Sequence, residues 1–416
     1  LDGEELAMDS PEESGFLDPR AEDNLVTDSA AAATAWSTGS LSARFRVGRT
    51  DPEIPNLFER LSESGRAHGF VTTARVTHYT LAPFYARVDD RGKEDEVAVQ
   101  LVETLPDVAI GGGSRHFAGA PAGGRKDGRD LLAEAEENGA AVLTEWKEPL
   151  PADRPVLAVL APAHLPHELD RGEGDPSLEE LAVAAVRRLE ATGKPWFLLV
   201  EGARIDHAGH DHDGASLVRD TIGFDRAIRA VLAAVDRERT LVVAAADHET
   251  ANPTLLEFAH PESLSVVTAS IEVMEERIFG GEAWPGSPET LEDHALPVID
   301  EGSAHTGLAA SDLDRLLRAN NVYERRTALG NALSRRFGIA FIDYRDHLAS
   351  DQAHGHTGDL VPVRAWGVRA GEIRGVRTHA DLGSWIADVL ELAGRRPSEA
   401  PADSSRAGGS PATDPD

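Results

Sequence analysis

The 416-residue sequence contains no cysteine. That excludes disulfides and thiolate ligands, so any metal ion must be held by carboxylate, imidazole and hydroxyl groups. Lysine is almost as scarce, limited to Lys93, Lys126, Lys147 and Lys194. Acids outnumber bases, 72 Asp and Glu against 41 Lys and Arg, for a formal net charge of −31. Nucleic-acid binding by a basic surface is thereby excluded. An acidic, Lys-poor surface suits solubility in concentrated salt, where repulsion is screened within about 3 Å at 1 M. The Arg preference of a GC-rich genome would leave the same composition. No apolar run is long enough to span a bilayer, and no charged-then-apolar signal opens the chain, so no membrane partner is expected. The start, Leu1-Asp-Gly-Glu-Glu without Met, reads as a processed or truncated product. No internal repeat is present.

What is there is an alternation of short apolar runs and helical patterns. Phe70–Thr73, Val108–Ile110, Val156–Leu160, Phe197–Val200 and Leu241–Ala245 read as strands. Between the last two, Leu217, Phe224, Ile228, Val231 and Val235 recur at helical spacing. Strand, helix, strand in this order predicts a parallel sheet with right-handed crossovers. The fold class is therefore doubly wound α/β, a mostly parallel sheet flanked by helices. From about Ala251 to Asp351 the pattern changes, with a turn-rich break at 280–288 and a helical segment around Leu313–Ala319. This stretch reads as an insertion over a core domain spanning 1–395. Residues 396–416, rich in Pro, Ser, Ala and Asp, read as a disordered acidic tail.

The chemistry concentrates where strands end. The run Phe197-Leu-Leu-Val-Glu201 leads directly into Asp206 and His210, and Thr240–Ala246 leads into Asp247-His248. Open α/β sheets place their sites at such C-terminal strand ends. Asp206 and His210 are four apart, so one helical turn aims both at one point. A lone Asp-His pair is often a cap or a core hydrogen bond; two strand-end clusters separated by one helix point to a metal-dependent enzyme. Ser29 precedes an Ala-rich stretch, Ala30 to Trp36, and on its own reads as a helix N-cap. A hydroxyl at that place also faces free backbone N–H groups and the positive end of the helix dipole, a setting for phosphate.

These segments resemble the alkaline phosphatase family. Val26-Thr-Asp-Ser29 with the following Ala-rich helix resembles its nucleophile segment. Thr72 to Thr80, Glu201 to His210, Ala246 to Thr250 and His354-Gly-His-Thr-Gly358 resemble its other motifs, in the family's order. The resemblance covers roughly residues 24 to 390 apart from the insertion. It implies two Zn2+ ions and one Mg2+, with Ser29 becoming a phosphoserine. It assigns Asp206, His210 and His356 to one zinc, Asp247 and His248 to the other, and Thr80 and Glu201 to magnesium, with His78 nearby. Arg91 would grip two phosphate oxygens, since a planar guanidinium matches phosphate bidentately; alone, it reads as a solvated arginine in an acidic loop. His305, in a second His-Thr-Gly triplet, competes with His356, but the family's ligand precedes a strand of the Val361-Pro-Val type, which selects His356. His207, His212 and His354 read as exposed polar histidines or as donors behind the ligands.

The resemblance also implies phosphate monoester substrates, a secreted or periplasmic location and a homodimer. One feature departs from it. The family's core opens with a strand ending in Asp-Gly, whose Asp bridges the second zinc and the magnesium. The residues before Ser29 hold no apolar strand with such an ending; Asp2-Gly3 matches without a strand before it. The expectation is that the chain is a fragment or the site is incomplete. The alternatives are a related phosphodiesterase or sulfate-ester hydrolase, or a truncated metal- and phosphate-binding protein without turnover.

Overall fold

Continuous apolar runs become buried strands, and the chain carries enough of them for two sheets. A computed structural model describes residues 5–119, 124–259, 261–280, 288–303, 308–342 and 355–392. The expected tail lies outside them, as do His305 and His354. In chain order the strands are β1 (Glu13–Asp18), β2 (Ala67–Arg75), β3 (Val108–Gly112), β4 (Ala141–Leu143), β5 (Val156–Val159), β6 (Trp196–Glu201) and β7 (Leu241–Ala245). There follow β8 (Glu249–Thr250), β9 (Thr254–Leu255), β10 (Ile339–Ala340), β11 (His356–Thr357), β12 (Val361–Gly367) and β13 (Val376–Thr378). A five-stranded sheet, ordered β4-β5-β3-β2-β6, is parallel throughout. A four-stranded sheet, ordered β13-β1-β12-β7, is mixed. Helices flank both, as the α/β reading expected.

On the near side are α1 (Ser29–Thr38), α2 (Leu57–Glu63), α3 (Glu94–Thr104) and α4 (Leu131–Glu137). On the far side are α5 (Leu178–Glu190) and, after the short α6 (Arg204–His210), the long α7 (Gly214–Ala234). The strands divide their side chains by the period of two. Phe70, Ala109, Leu157 and Val159 join the cluster of α1 to α4, whereas Val71, Val108, Ile110, Val156 and Ala158 join that of α5. Burial on both faces explains why these strands read as unbroken apolar runs rather than as alternating ones.

The expected parallel sheet is present, but the order β6, α7, β7 does not say which strands are neighbours. Among the described residues β6 pairs with β2, in parallel, and β7 with β12, antiparallel, and the two are not paired with each other. Periodicity identified the elements and could not identify their partners.

Within 251–351 the described residues form α8 (Pro261–Ser265), α9 (Ile271–Phe279), α10 (Pro288–Ser303), α11 (Ala310–Arg318) and α12 (Val322–Ser334). Met274, Leu291, Ile299, Leu316 and Leu329 give them an apolar cluster of their own. The final helix, α13 (His379–Val389), packs beside α1.

Near the site the first sheet is fixed by a buried ion pair. Arg75, at the end of β2, donates to both carboxylate oxygens of Glu94 at 2.7 and 2.6 Å, and the Thr77 hydroxyl donates to the same group at 2.7 Å. Burial opposes ionisation of Glu94, but Arg75, Thr77 and His116 outweigh it and hold the carboxyl at about 2. A carboxyl depressed on folding stabilises above its unfolded pKa and loses that contribution as pH falls through the folded one. The pair should therefore hold fully above pH 4.5 and weaken between 4.5 and about 2. Glu94→Gln should cost about 3–5 kcal/mol at neutral pH, because it strands a buried guanidinium. It should also flatten the acid limb of stability, measured by urea unfolding from pH 6 to 2.

Candidate active site

The nucleophile candidate owes its freedom to its neighbour. Ser29 was expected to cap the Ala-rich helix, but the cap is Asp28, whose carboxylate accepts from the Ala31 amide at 3.0 Å. The same carboxylate accepts from the Phe45 amide at 3.1 Å. Ser29 is the first helical residue, so its hydroxyl is not spent on capping. Its Oγ lies 3.0 Å from Nε2 of His248, beside first-turn amides that have no acceptor within the helix.

Asp206 and His210 share α6, with 3.5 Å between Oδ2 and Nε2, as their spacing requires. His356 reaches them from 146 residues away in sequence, its Nε2 lying 3.3 Å from that of His210. A two-residue ladder brings it there: β8 and β11 pair antiparallel, with His356 opposite Thr250. The Nδ1 of His356 faces the Thr27 carbonyl at 3.1 Å. A proton on that nitrogen leaves Nε2 as a lone pair, the tautomer a ligand needs. The donor atoms of Asp206, His210 and His356 all lie within 4.8 Å of one another. Burial lowers the pKa of both histidines and keeps them neutral. Burial acts to raise that of Asp206, but His210, His248, His356 and the Thr250 hydroxyl outweigh it and hold the carboxylate ionised.

His248 stacks on His356, with ring centroids 3.6 Å apart, and its Nε2 lies 3.4 Å from Asp247 Oδ2. Glu201 accepts from Thr72 at 2.5 Å and also from the Thr80 hydroxyl. Its carboxyl is pushed up to about 7, chiefly by burial, against those two hydrogen bonds and with the repulsion of Asp247 and Asp206 added. The predicted ligand residues thus converge: Ser29, Asp206, His210, Asp247, His248 and His356 in one contiguous group, with Glu201 and Thr80 adjoining it.

Arg91 lies beside this group. Its guanidinium is 3.7 Å from Asp28 and rests over the rings of Tyr79 and Phe45, and its charge helps lower the pKa of His210 and His78. Two histidines differ from the exposed reading. His212 is buried and stacks on Phe341, and His207 is half-buried, its ring 4.2 Å from that of His164. Sequence reasoning gave no role to Thr250 or His164, which now have contacts. Thr250 donates to Asp206 Oδ1 at 2.5 Å. His164 and His207 border His78, whose pKa is lowered to about 4 by burial and by Arg75. Thr250 stood inside a quoted motif; nothing in the local sequence around His164 marks it. Gly209 allows the close approach, since a Cβ there would sit 3.0 Å from the Thr250 side chain.

The donor set fits the expected ions. Neutral imidazoles with an ionised carboxylate suit zinc, and carboxylate with hydroxyl oxygens suits magnesium. The mutual repulsion of Glu201, Asp206 and Asp247 within a buried pocket calls for positive charge among them.

Comparison with known proteins gives a consistent picture. A family model described as alkaline phosphatase matches residues 1–392. Streptomycin-6-phosphate phosphatase of Streptomyces griseus is 35% identical, over 70% of this chain and 77% of its own. The repressible alkaline phosphatase of Saccharomyces cerevisiae is 29% identical, over 90% of this chain and 73% of its own. Among solved structures, the alkaline phosphatase of Thermus thermophilus superposes with a TM-score of 0.81 at 27% identity, covering 95% of this chain and 87% of that one. A mutant alkaline phosphatase from the Antarctic bacterium TAB5, solved with Mg bound, shares the fold at 22% identity with a TM-score of 0.68, covering 95% and 92%.

Proposed function

Because the chain belongs to the alkaline phosphatase family, we propose that it hydrolyses phosphate monoesters through a phosphoserine at Ser29. The observation that carries this reading is the Ser29 hydroxyl at the start of α1, not used as the helix cap and 3.0 Å from His248 Nε2, beside a ring of carboxylates and imidazoles. Ser29 Oγ loses its proton and attacks phosphorus in line with the ester oxygen. The new O–P bond forms as the ester P–O bond breaks, and the departing alcohol takes up a proton. Water then cleaves the phosphoserine, restoring Ser29 and releasing inorganic phosphate. Arg91 holds two phosphoryl oxygens in its planar fork, and the first turn of α1 adds amide donors and a positive dipole end.

Asp206, His210 and His356 would hold one zinc, Asp247 and His248 a second, and Glu201 and Thr80 a magnesium. Bound there, such ions supply Lewis acidity that lowers the pKa of a hydroxyl and stabilises charge on the departing oxygen. His356 is oriented for this by the Thr27 carbonyl, and Asp206 by Thr250. The reading includes a secreted or periplasmic location and a homodimer, as the family resemblance implies.

The test is a comparison of p-nitrophenyl phosphate with bis(p-nitrophenyl) phosphate and p-nitrophenyl sulfate, with zinc and magnesium present. Of the three only the monoester is a dianion, with its charge spread over three terminal oxygens of which Arg91 can hold two, so its kcat/KM should be at least about 10²-fold higher. Faster turnover of the diester or the sulfate would overturn the reading. The net charge of −31 adds salt adaptation to it. Turnover should persist or rise toward molar NaCl, which screens self-repulsion and the repulsion of an anionic substrate; a monotonic loss would count against that part.

A further inference from the structure

The helix that carries Asp206 and His210 has little of its own to hold it still. α6 has seven residues, and its N-cap, Ala203, offers no side-chain cap. A helix of two turns is marginal alone and takes its stability from what packs against it. Its aim matters. The donor atoms of Asp206, His210 and His356 lie within 4.8 Å of one another, and a small roll of α6 would carry the first two away.

Both ends of α6 are gripped from far along the chain. At its first residue the buried Arg204 guanidinium donates to Glu272 of α9, and its Nη1 lies 3.0 Å from His207 Nδ1. Directly after its last residue the buried Asp211 carboxylate lies 3.4 Å from Arg326 of α12. Arg326 also lies 3.4 Å from Glu272. The chain Arg204–Glu272–Arg326–Asp211 therefore runs from one end of α6 to the other. Arg325 and Glu275 back it, paired at 2.6 Å, with Glu275 3.8 Å from Arg326. The guanidiniums of Arg204, Arg325 and Arg326 thus balance the carboxylates of Asp211, Glu272 and Glu275.

The backbones meet as well. A Cβ on Gly330 of α12 would sit 2.1 Å from the Asp211 carbonyl oxygen. The Ser334 hydroxyl donates to the His212 carbonyl at 2.7 Å and accepts from the Gly214 amide at 2.9 Å. Exposed ion pairs, such as Arg318 with Asp314 on α11, contribute little. Those at α6 are largely buried, where removing one partner leaves a charge uncompensated. They also bracket the two proposed ligands, Arg204 two residues before Asp206 and Asp211 one after His210.

We propose that Glu272 and Arg326 are positioning residues: their chain of ion pairs fixes the roll of α6, and with it the aim of Asp206 and His210 at a zinc shared with His356. The proposal rests on the reading of those three residues as zinc ligands, so its test includes a measurement on the metal-free protein.

The experiment compares the full chain with Glu272→Gln and Arg326→Gln, and with Arg318→Gln as a control. Zinc affinity is measured on stripped protein by competition with a chromogenic chelator, and hydrogen exchange of the same stripped protein by mass spectrometry. Either Gln variant at the clamp should bind zinc about 10- to 100-fold more weakly, the usual cost of losing a group that orients a ligand. Amides of α6 should exchange at least about tenfold faster, with those of α5 unchanged. The double variant should be no worse than the weaker single one, since either change breaks the chain. Arg318→Gln should match the parent. Should a Gln variant fail to fold, Arg326→Lys, which keeps the charge and loses the fork, should show both changes in smaller measure. Parental zinc affinity with unchanged α6 exchange overturns the proposal. So does an equal rise in exchange at α5, which would mark general loosening. If His210→Ala leaves zinc binding at the parent level, the zinc reading falls, and α6 exchange in Glu272→Gln alone decides whether the clamp exists.

Discussion

Ser29→Ala is expected to lower turnover of p-nitrophenyl phosphate by at least about 10³-fold, with fold and metal content unchanged. Alanine suits the first turn of a helix whose next residues are Ala30 to Ala33, and the cap is supplied by Asp28 rather than by Ser29. The substitution therefore removes one hydroxyl, the one 3.0 Å from His248 Nε2, and little else. Circular dichroism and metal analysis should match the parent. Acid-quenched protein incubated with ³²P-phosphate should carry label on the parent and none on the variant. Residual turnover within about tenfold of the parent, or label on the variant, would remove Ser29 from the reaction.

Stripping metal ions with a chelator should cost activity by a comparable factor, and it should also change how stability responds to pH. Without cations, Glu201, Asp206 and Asp247 face one another across a buried pocket, and Glu201 is pushed up to about 7. A carboxyl raised on folding contributes fully below its unfolded pKa and loses that contribution as pH rises through the folded one. For Glu201 the window runs from 4.5 to about 7. The stripped protein should therefore lose a few kcal/mol across that window, while the protein reloaded with zinc and magnesium should not, since the ions favour the charged form. Thermal melts at pH 5 and pH 8, with and without reloading, measure the difference. Equal pH dependence of the stripped and loaded forms would refute a cation site at Glu201. This limb is opposite in sign to that of Glu94, so the two carboxyls separate cleanly in a pH series.

Much of the site is written locally. Asp206 and His210 meet because four residues make one helical turn. Asp247 and His248 follow β7 directly, and Glu201 ends β6. The choice of His356 rested on the strand that follows it, and that strand exists as β12. What brings His356 to His210 is less visible, because two-residue strands such as β8 and β11 have no periodicity to read. Thr250 and Thr27 escaped notice for a related reason: a threonine hydroxyl or a backbone carbonyl acquires its role only from what lies opposite. β1 was missed because Glu13-Ser-Gly-Phe-Leu-Asp18 is short and half polar, and only its pairing with β12 and β13 makes it a strand.

By itself, then, the sequence determined the α/β class, the strands β2, β3, β5, β6 and β7, the helix α7, and the list of residues proposed for the site. These follow from periodicity, strand-end spacing and donor type, which are properties of neighbours along the chain. Only the tertiary structure decided that Asp28 caps α1 and leaves the Ser29 hydroxyl to face His248, that His212 is buried, and that β6 pairs with β2 and β7 with β12. Each of those depends on which segment fills the space beside another. Burial and pairing are settled by packing across the chain, and local pattern carries no record of them.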